Sequence, residues 1–171
     1  MKRWIWLAGA AVVVIALGAT LVALPKGQEW TTDSPEALAE FQAGIDAQMR
    51  IYYDDAQRHF RRAIELDPDF VMAKFYAIDG FRSEGEEKVE TMWNSVISAD
   101  LEQLTPRERL IIERARAMHE KRPEDADRLL EVALADYPND PFILNLKALQ
   151  TWHRGEFEDA ERLYQRLVEI H

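Results

Sequence analysis

The chain has 171 residues, no cysteine, and 21 lysines and arginines against 31 aspartates and glutamates, a formal net charge of −10. The absence of cysteine excludes disulfides, thiolate zinc sites and thiol nucleophiles, and the negative balance lacks the basic footprint needed to bind nucleic-acid phosphates or anionic lipid heads. The length suits one small domain with a continuous core.

The chain opens MKRWIWLAGAAVVVIALGATLVALPKGQEW, where residues 4–24 are apolar or small apart from Thr20. A helix of that length matches a bilayer core of about 30 Å. Trp4 and Trp6 stand at one end and Trp30 just past the other, as interfacial aromatics do. The run exceeds the roughly 7 to 15 apolar residues of a signal peptide and no clean A-x-A pair follows, so an uncleaved anchor is expected rather than a cleaved leader. With no cysteine, lipoprotein attachment is ruled out. Lys2, Arg3 and the terminal amine, opposed by Lys26, predict a cytoplasmic N-terminus and a periplasmic domain in a bacterial inner membrane. The expected organisation is a tail and transmembrane anchor at 1–24, a linker at 25–33 (PKGQEWTTD) and one domain at 34–171. Without Lys2 and Arg3, 19 basic residues face 31 acidic ones, a balance of −12.

Residues 53–68 read YDDAQRHFRRAIELDP. Steps of three and four put Tyr53, Ala56, Phe60, Ala63 and Ile64 on one helical stripe, with charged residues over the rest. The small-large-small order of Ala56, Phe60 and Ala63 calls for a close neighbouring helix. The spacing returns 70 positions later as Ala126, Leu130, Ala133 and Pro138, and 34 beyond that as Ala160, Tyr164 and Leu167. Between them EEKVETMWNSVISADL keeps Val89, Trp93 and Val96, a degenerate copy in which the small residues have grown to valine. Helix pairs of about 34 residues with this alanine–large–alanine–proline pattern resemble the tetratricopeptide repeat.

The resemblance covers about 34–171 and implies an all-α solenoid of about four helix pairs after the anchor. First helices are predicted at about 35–49, 71–83, 105–120 and 141–154, and second helices at about 53–66, 86–100, 123–136 and 156–170. Thr105-Pro106-Arg107-Glu108 is a capping box with proline at the first helical position, and Ser34-Pro35 and Asp140-Pro141 repeat the cap-then-proline start. Asp67-Pro68 and Tyr137-Pro138 close units. No segment alternates with period two, so no sheet is expected.

Catalytic patterns are missing: His59, His119, His153 and His171 form no H-E-x-x-H pair, and there is no nucleophile elbow or phosphate loop. His119 and His153 stand 34 apart, on equivalent positions of consecutive first helices; a polar spot in a groove is expected there rather than a metal site. No enzyme activity and no cofactor are expected.

In the tetratricopeptide family the first helices line a surface that holds a peptide or partner helix. Carried onto this register, the resemblance implies a groove of Phe41, Ile45, Gln48 and Met49; Met72, Phe75, Asp79 and Arg82; Ile111, Ala115, Met118 and His119; and Phe142, Asn145, Leu149, Trp152 and His153. The lining is apolar, with too few bases for a carboxylate clamp, and fits an apolar helix or extended segment. The last helix, carrying Phe157, Leu163, Tyr164, Leu167 and Ile170, is expected to leave apolar surface for a partner or a second copy. Anchor, short linker and repeats together resemble anchored repeat proteins of bacterial envelope assembly. The implied function is a non-enzymatic, membrane-anchored scaffold or adaptor with membrane-bound or membrane-proximal protein partners and no nucleic acid; the alternative is a permanent structural subunit of a membrane complex.

Overall fold

The computed structural model describes residues 29–170. Within them lie eight α-helices and no strand. In chain order these are α1 (Pro35–Met49), α2 (Tyr53–Leu66), α3 (Val71–Ala77), α4 (Glu86–Ile97), α5 (Pro106–His119), α6 (Pro123–Asp136), α7 (Pro141–His153) and α8 (Phe157–Ile170). They form four antiparallel pairs in sequence order, α1/α2 to α7/α8, with α2 against α3, α4 against α5 and α6 against α7 joining the units. Among the described residues no helix is long and apolar enough to cross a membrane. The expected anchor at 4–24 lies outside the described residues.

The caps form as their residue types require. Ser34 Oγ accepts from Ala37 N at 3.1 Å and Asp140 Oδ1 from Ile143 N at 2.9 Å, each satisfying a donor that the first helical turn leaves orphaned. Thr105 and Glu108 form the capping box in both directions. The small stripe residues do what their size allows: Ala56, Ala126 and Ala160 are 1%, 0% and 0% exposed. Gly44 of α1 extends this close packing, because a Cβ there would stand 2.5 Å from Cε1 of the buried Phe60.

The turn inside each pair holds a positive-φ residue: Ile51 (φ 66°), Lys121 (φ 59°) and Gly155 (φ 80°) two residues before the second helix, and Gly85 (φ 108°) immediately before it. Two units fill it with glycine, which adopts that conformation freely; the other two hold side chains there at a steric cost.

Two predicted helices are shorter than their pattern. The first helix of the second unit is α-helical only to Ala77 and continues as a 3-10 helix over Ile78–Glu84. Close approach of α2 accompanies the change: a Cβ on Gly80 would meet Gln57 Oε1 at 2.2 Å, and Arg61 of α2 donates to the Gly80 carbonyl. The second helix stops at Ile97 rather than near 100. There Ser95 and Ser98 turn their hydroxyls onto the carbonyls of Met92 and Asn94 at 2.7 and 2.6 Å, the local competition that makes serine a poor helix interior.

The predicted linker is corrected at its C-terminal end. Trp30, read as an interfacial aromatic, is 5% exposed and lies edge-on to Phe41 with ring centroids 4.7 Å apart. The Arg107 guanidinium lies over the indole at 4.3 Å and pairs with Asp140, the N-cap of α7. Thr31 donates through N (2.8 Å) and Oγ1 to the buried Glu108 carboxylate, and Thr32 donates to Asp67 beyond α2. Residues 30–32 are therefore a strap that ties the first pair to the starts of α5 and α7. The sequence pattern hid it because an indole next to an apolar run reads equally well as a membrane-interface residue.

Candidate partner-binding site

Four aromatic side chains from four helices meet on one face. Phe75 of α3 lies edge-on to Trp93 of α4 and to Phe142 of α7, each at 6.2 Å between centroids, and Trp93 lies over the imidazole of His119 of α5 at 5.5 Å. All four are half-buried. Around them Met118, next to His119, is 49% exposed, and Leu149, two helical turns past Phe142, is 43% exposed. Asn145, one turn past Phe142, is exposed as well. The cluster is apolar with polar edges, the character of a surface that takes an apolar side chain from a partner.

Phe142 reaches this place because Asp140 caps α7 and Pro141 starts it, with Asp140 held by Arg107. Behind the cluster Tyr76 is ringed by Phe41, Phe60, Phe75 and Phe142 at 5.1 to 5.7 Å. Burial pushes its phenol above the ordinary pKa of 10.0 despite the nearby Arg107 charge, which acts the other way. On the far side of α5, burial lowers the pKa of the Arg114 guanidinium, opposed by Asp127.

The sequence-derived groove is only partly assembled. Phe75, His119 and Phe142 come together, with Met118, Asn145 and Leu149 on the adjoining turns. Phe41, Met72, Ile111 and Ala115 do not reach the surface: they are 0%, 0%, 3% and 5% exposed and belong to the core. Phe41 is enclosed by Trp30 of the strap together with Phe60, Phe70 and Tyr76. Ile45 packs partly against the same core, and Gln48 is half-buried. Met49 is 46% exposed at the far end of α1. Asp79 and Arg82 pair with each other at 2.8 Å on the exposed 3-10 segment. Trp152 is 52% exposed, and its ring contact is edge-on with Phe157 of α8 at 5.0 Å rather than with the Phe75 cluster. His153 is exposed one residue further on.

Trp93 was missed as a site residue. Its place in the repeat matches Phe60 and Leu130, which are core, so the pattern assigned it to packing; the enlarged neighbour Val89 was the available signal, being half-buried where Ala56 and Ala126 are fully buried. His59, read as a solvated surface residue, has Nδ1 2.7 Å from Glu40 Oε2 on α1.

No family model matches the chain, and no curated protein does. Among solved structures, the chain is similar to one in the crystal structure of the APC/C hetero-tetramer Cut9-Hcn1, with 18% identity and a TM-score of 0.42 over 79% of this chain. This chain spans 25% of the length of that one.

Proposed function

We propose that the protein is a non-enzymatic, membrane-anchored scaffold that holds an apolar segment of another protein against the Phe75–Trp93–His119–Phe142 face. The observation that carries this reading is the convergence of four half-buried aromatic rings from α3, α4, α5 and α7 beside exposed Met118 and Leu149. Large rings in partly desolvated positions are the groups that dominate binding energy at protein interfaces.

The membrane setting rests on the sequence of residues 4–24 and on the strap. Five residues, 25–29, separate that segment from the seated Trp30, and even fully extended they reach about 18 Å. The first helix pair is then held close to the bilayer, on the periplasmic side of a bacterial inner membrane by the charge bias of Lys2 and Arg3. A partner that is itself in or on that membrane is within reach without a search through the bulk. The role is assembly of an envelope complex, with clients held transiently; permanent membership of a membrane complex is the alternative.

The test is co-purification of the full chain in mild detergent, with Met118→Glu and Leu149→Glu as exposed-site variants. The scaffold reading expects partner proteins to be retained by the wild-type chain in variable amounts and lost from both variants. Fixed stoichiometry through size exclusion would instead assign a permanent subunit, and retention of every partner by both variants would move the site elsewhere.

A further inference from the structure

A second apolar surface lies on α8, where Tyr164 is 36% and Val168 78% exposed, alongside Phe157 at 57% and Trp152 at 52%. With Glu158 and Glu161 they line a depression of about 460 Å³. The repeat itself identifies what covers this face elsewhere. Tyr164 occupies the place of Leu130 on α6 and Phe60 on α2, and Val168 that of Leu134 and Ile64. Leu130 and Phe60 are 1% and 0% exposed, because a first helix of the next unit lies over them. Ile143 and Leu146 of α7 join the Leu130 cluster, and the Tyr76 ring of α3 stands 5.3 Å from that of Phe60.

The polar groups follow the same register. Asp127 of α6 pairs with Arg154 just past α7 and accepts from Gln150, and Glu131 pairs with Lys147. On α8 the place of Asp127 belongs to Glu161, whose partner among the described residues is the Gln165 amide at 3.3 Å. The bases of α8 are engaged elsewhere: Arg162 with Asp159 and Arg166 with Asn139 at 2.7 Å.

We propose that this face docks a helix from a separate protein, laid along α8 as α7 is laid along α6. Its chemistry follows from α7: two apolar residues three apart, like Ile143 and Leu146, and a lysine or arginine about two turns later, where Arg154 meets Asp127. Charge argues against a second copy of this chain, which would bring further carboxylates to Glu158 and Glu161 on a body already at −12 beyond its first three residues. The surface is distinct from the Phe75 cluster and stands without it.

The probe is a fluorescein-labelled peptide with the sequence of residues 141–154, PFILNLKALQTWHR, titrated by anisotropy against the full chain in nanodiscs. A control peptide carries glutamate in place of Lys147 and Arg154. The expected result is saturable binding of the first peptide and at least tenfold weaker binding of the control. Val168→Glu should weaken the first peptide at least tenfold with an unchanged circular dichroism spectrum, while the exposed pair Glu158→Lys, Glu161→Lys should reverse the preference between peptides. Leu149→Glu, outside the lining of the depression, should leave both affinities unchanged whatever it does to partner capture. Binding indifferent to Val168→Glu and to the charge reversal overturns the proposal. So does a wild-type dimer in analytical ultracentrifugation that Val168→Glu converts to monomer, which would assign the face to a second copy.

Discussion

Replacing Trp30 with alanine separates a core residue from a membrane-interface one. The indole is 5% exposed, with the Phe41 ring at 4.7 Å and the Arg107 guanidinium over it at 4.3 Å. Truncating a buried tryptophan costs about 3 to 5 kcal/mol, through lost transfer energy and the cavity left behind. In a domain of this size each kcal/mol moves Tm by roughly 3 to 4 °C, so Trp30→Ala should lower it by about 10 to 20 °C. The assay is thermal and urea unfolding, followed by circular dichroism, of a soluble fragment beginning at residue 29. Trp30→Phe keeps a ring against Phe41 and should lose about half as much. A fragment beginning at residue 31 removes the same side chain and should behave like Trp30→Ala. If Trp30→Ala and the shorter fragment both melt within about 2 °C of the parent, the strap does not belong to the domain and the residue serves the bilayer instead.

Gly44→Ala gains about 1 kcal/mol of helix propensity but forces a Cβ to 2.5 Å from a Phe60 ring that is 0% exposed; overpacking of about 1 to 3 kcal/mol should win, and urea unfolding will read a net loss. Ile51→Gly should raise stability by about 1 kcal/mol in the same measurement, because a β-branched residue sits at φ 66° with 70% of its surface exposed. The raised phenol pKa of Tyr76 means the folded state keeps a proton that the unfolded state releases above 10.0; its contribution is therefore complete below pH 10 and falls as pH rises beyond it, by at most about 1.4 kcal/mol per pH unit. Tyr76→Phe should flatten that alkaline decline in urea midpoints. Phe75→Ala and Phe142→Ala should each cost some folding stability as well as binding, since both rings also pack on the core; Met118→Glu should cost binding with melting unchanged.

The second helices were legible because their small-large-small stripes are a local consequence of close packing, and α2 and α6 match their predicted spans. The caps at Ser34, Thr105 and Asp140 were legible for the same reason: a hydroxyl or carboxylate three residues ahead of an orphan N–H acts locally. What escaped depends on contacts distant in sequence. Thr31 and Glu108 are 77 residues apart, and no periodicity carries that pairing. Of the residues expected in a groove, Phe75, His119 and Phe142 come together, because each lies on the face that its helix turns toward the neighbouring units. Phe41 is instead roofed over, by Phe60, Phe70 and Tyr76 and by Trp30 of a strap that the pattern had placed in a linker.

Cross-linking from the aromatic face of α3, α4, α5 and α7 tests most directly whether that face holds a membrane-proximal protein. A photoreactive phenylalanine analogue at Met118, 49% exposed beside His119, reports on that face, and one at Val132, 48% exposed on α6, serves as the comparison. In irradiated cell membranes containing the full chain, position 118 should give a discrete protein adduct that disappears when Leu149→Glu is added, and position 132 should give none. An adduct from position 132 alone, or one from position 118 that survives Leu149→Glu unchanged, would contradict a partner held on that face.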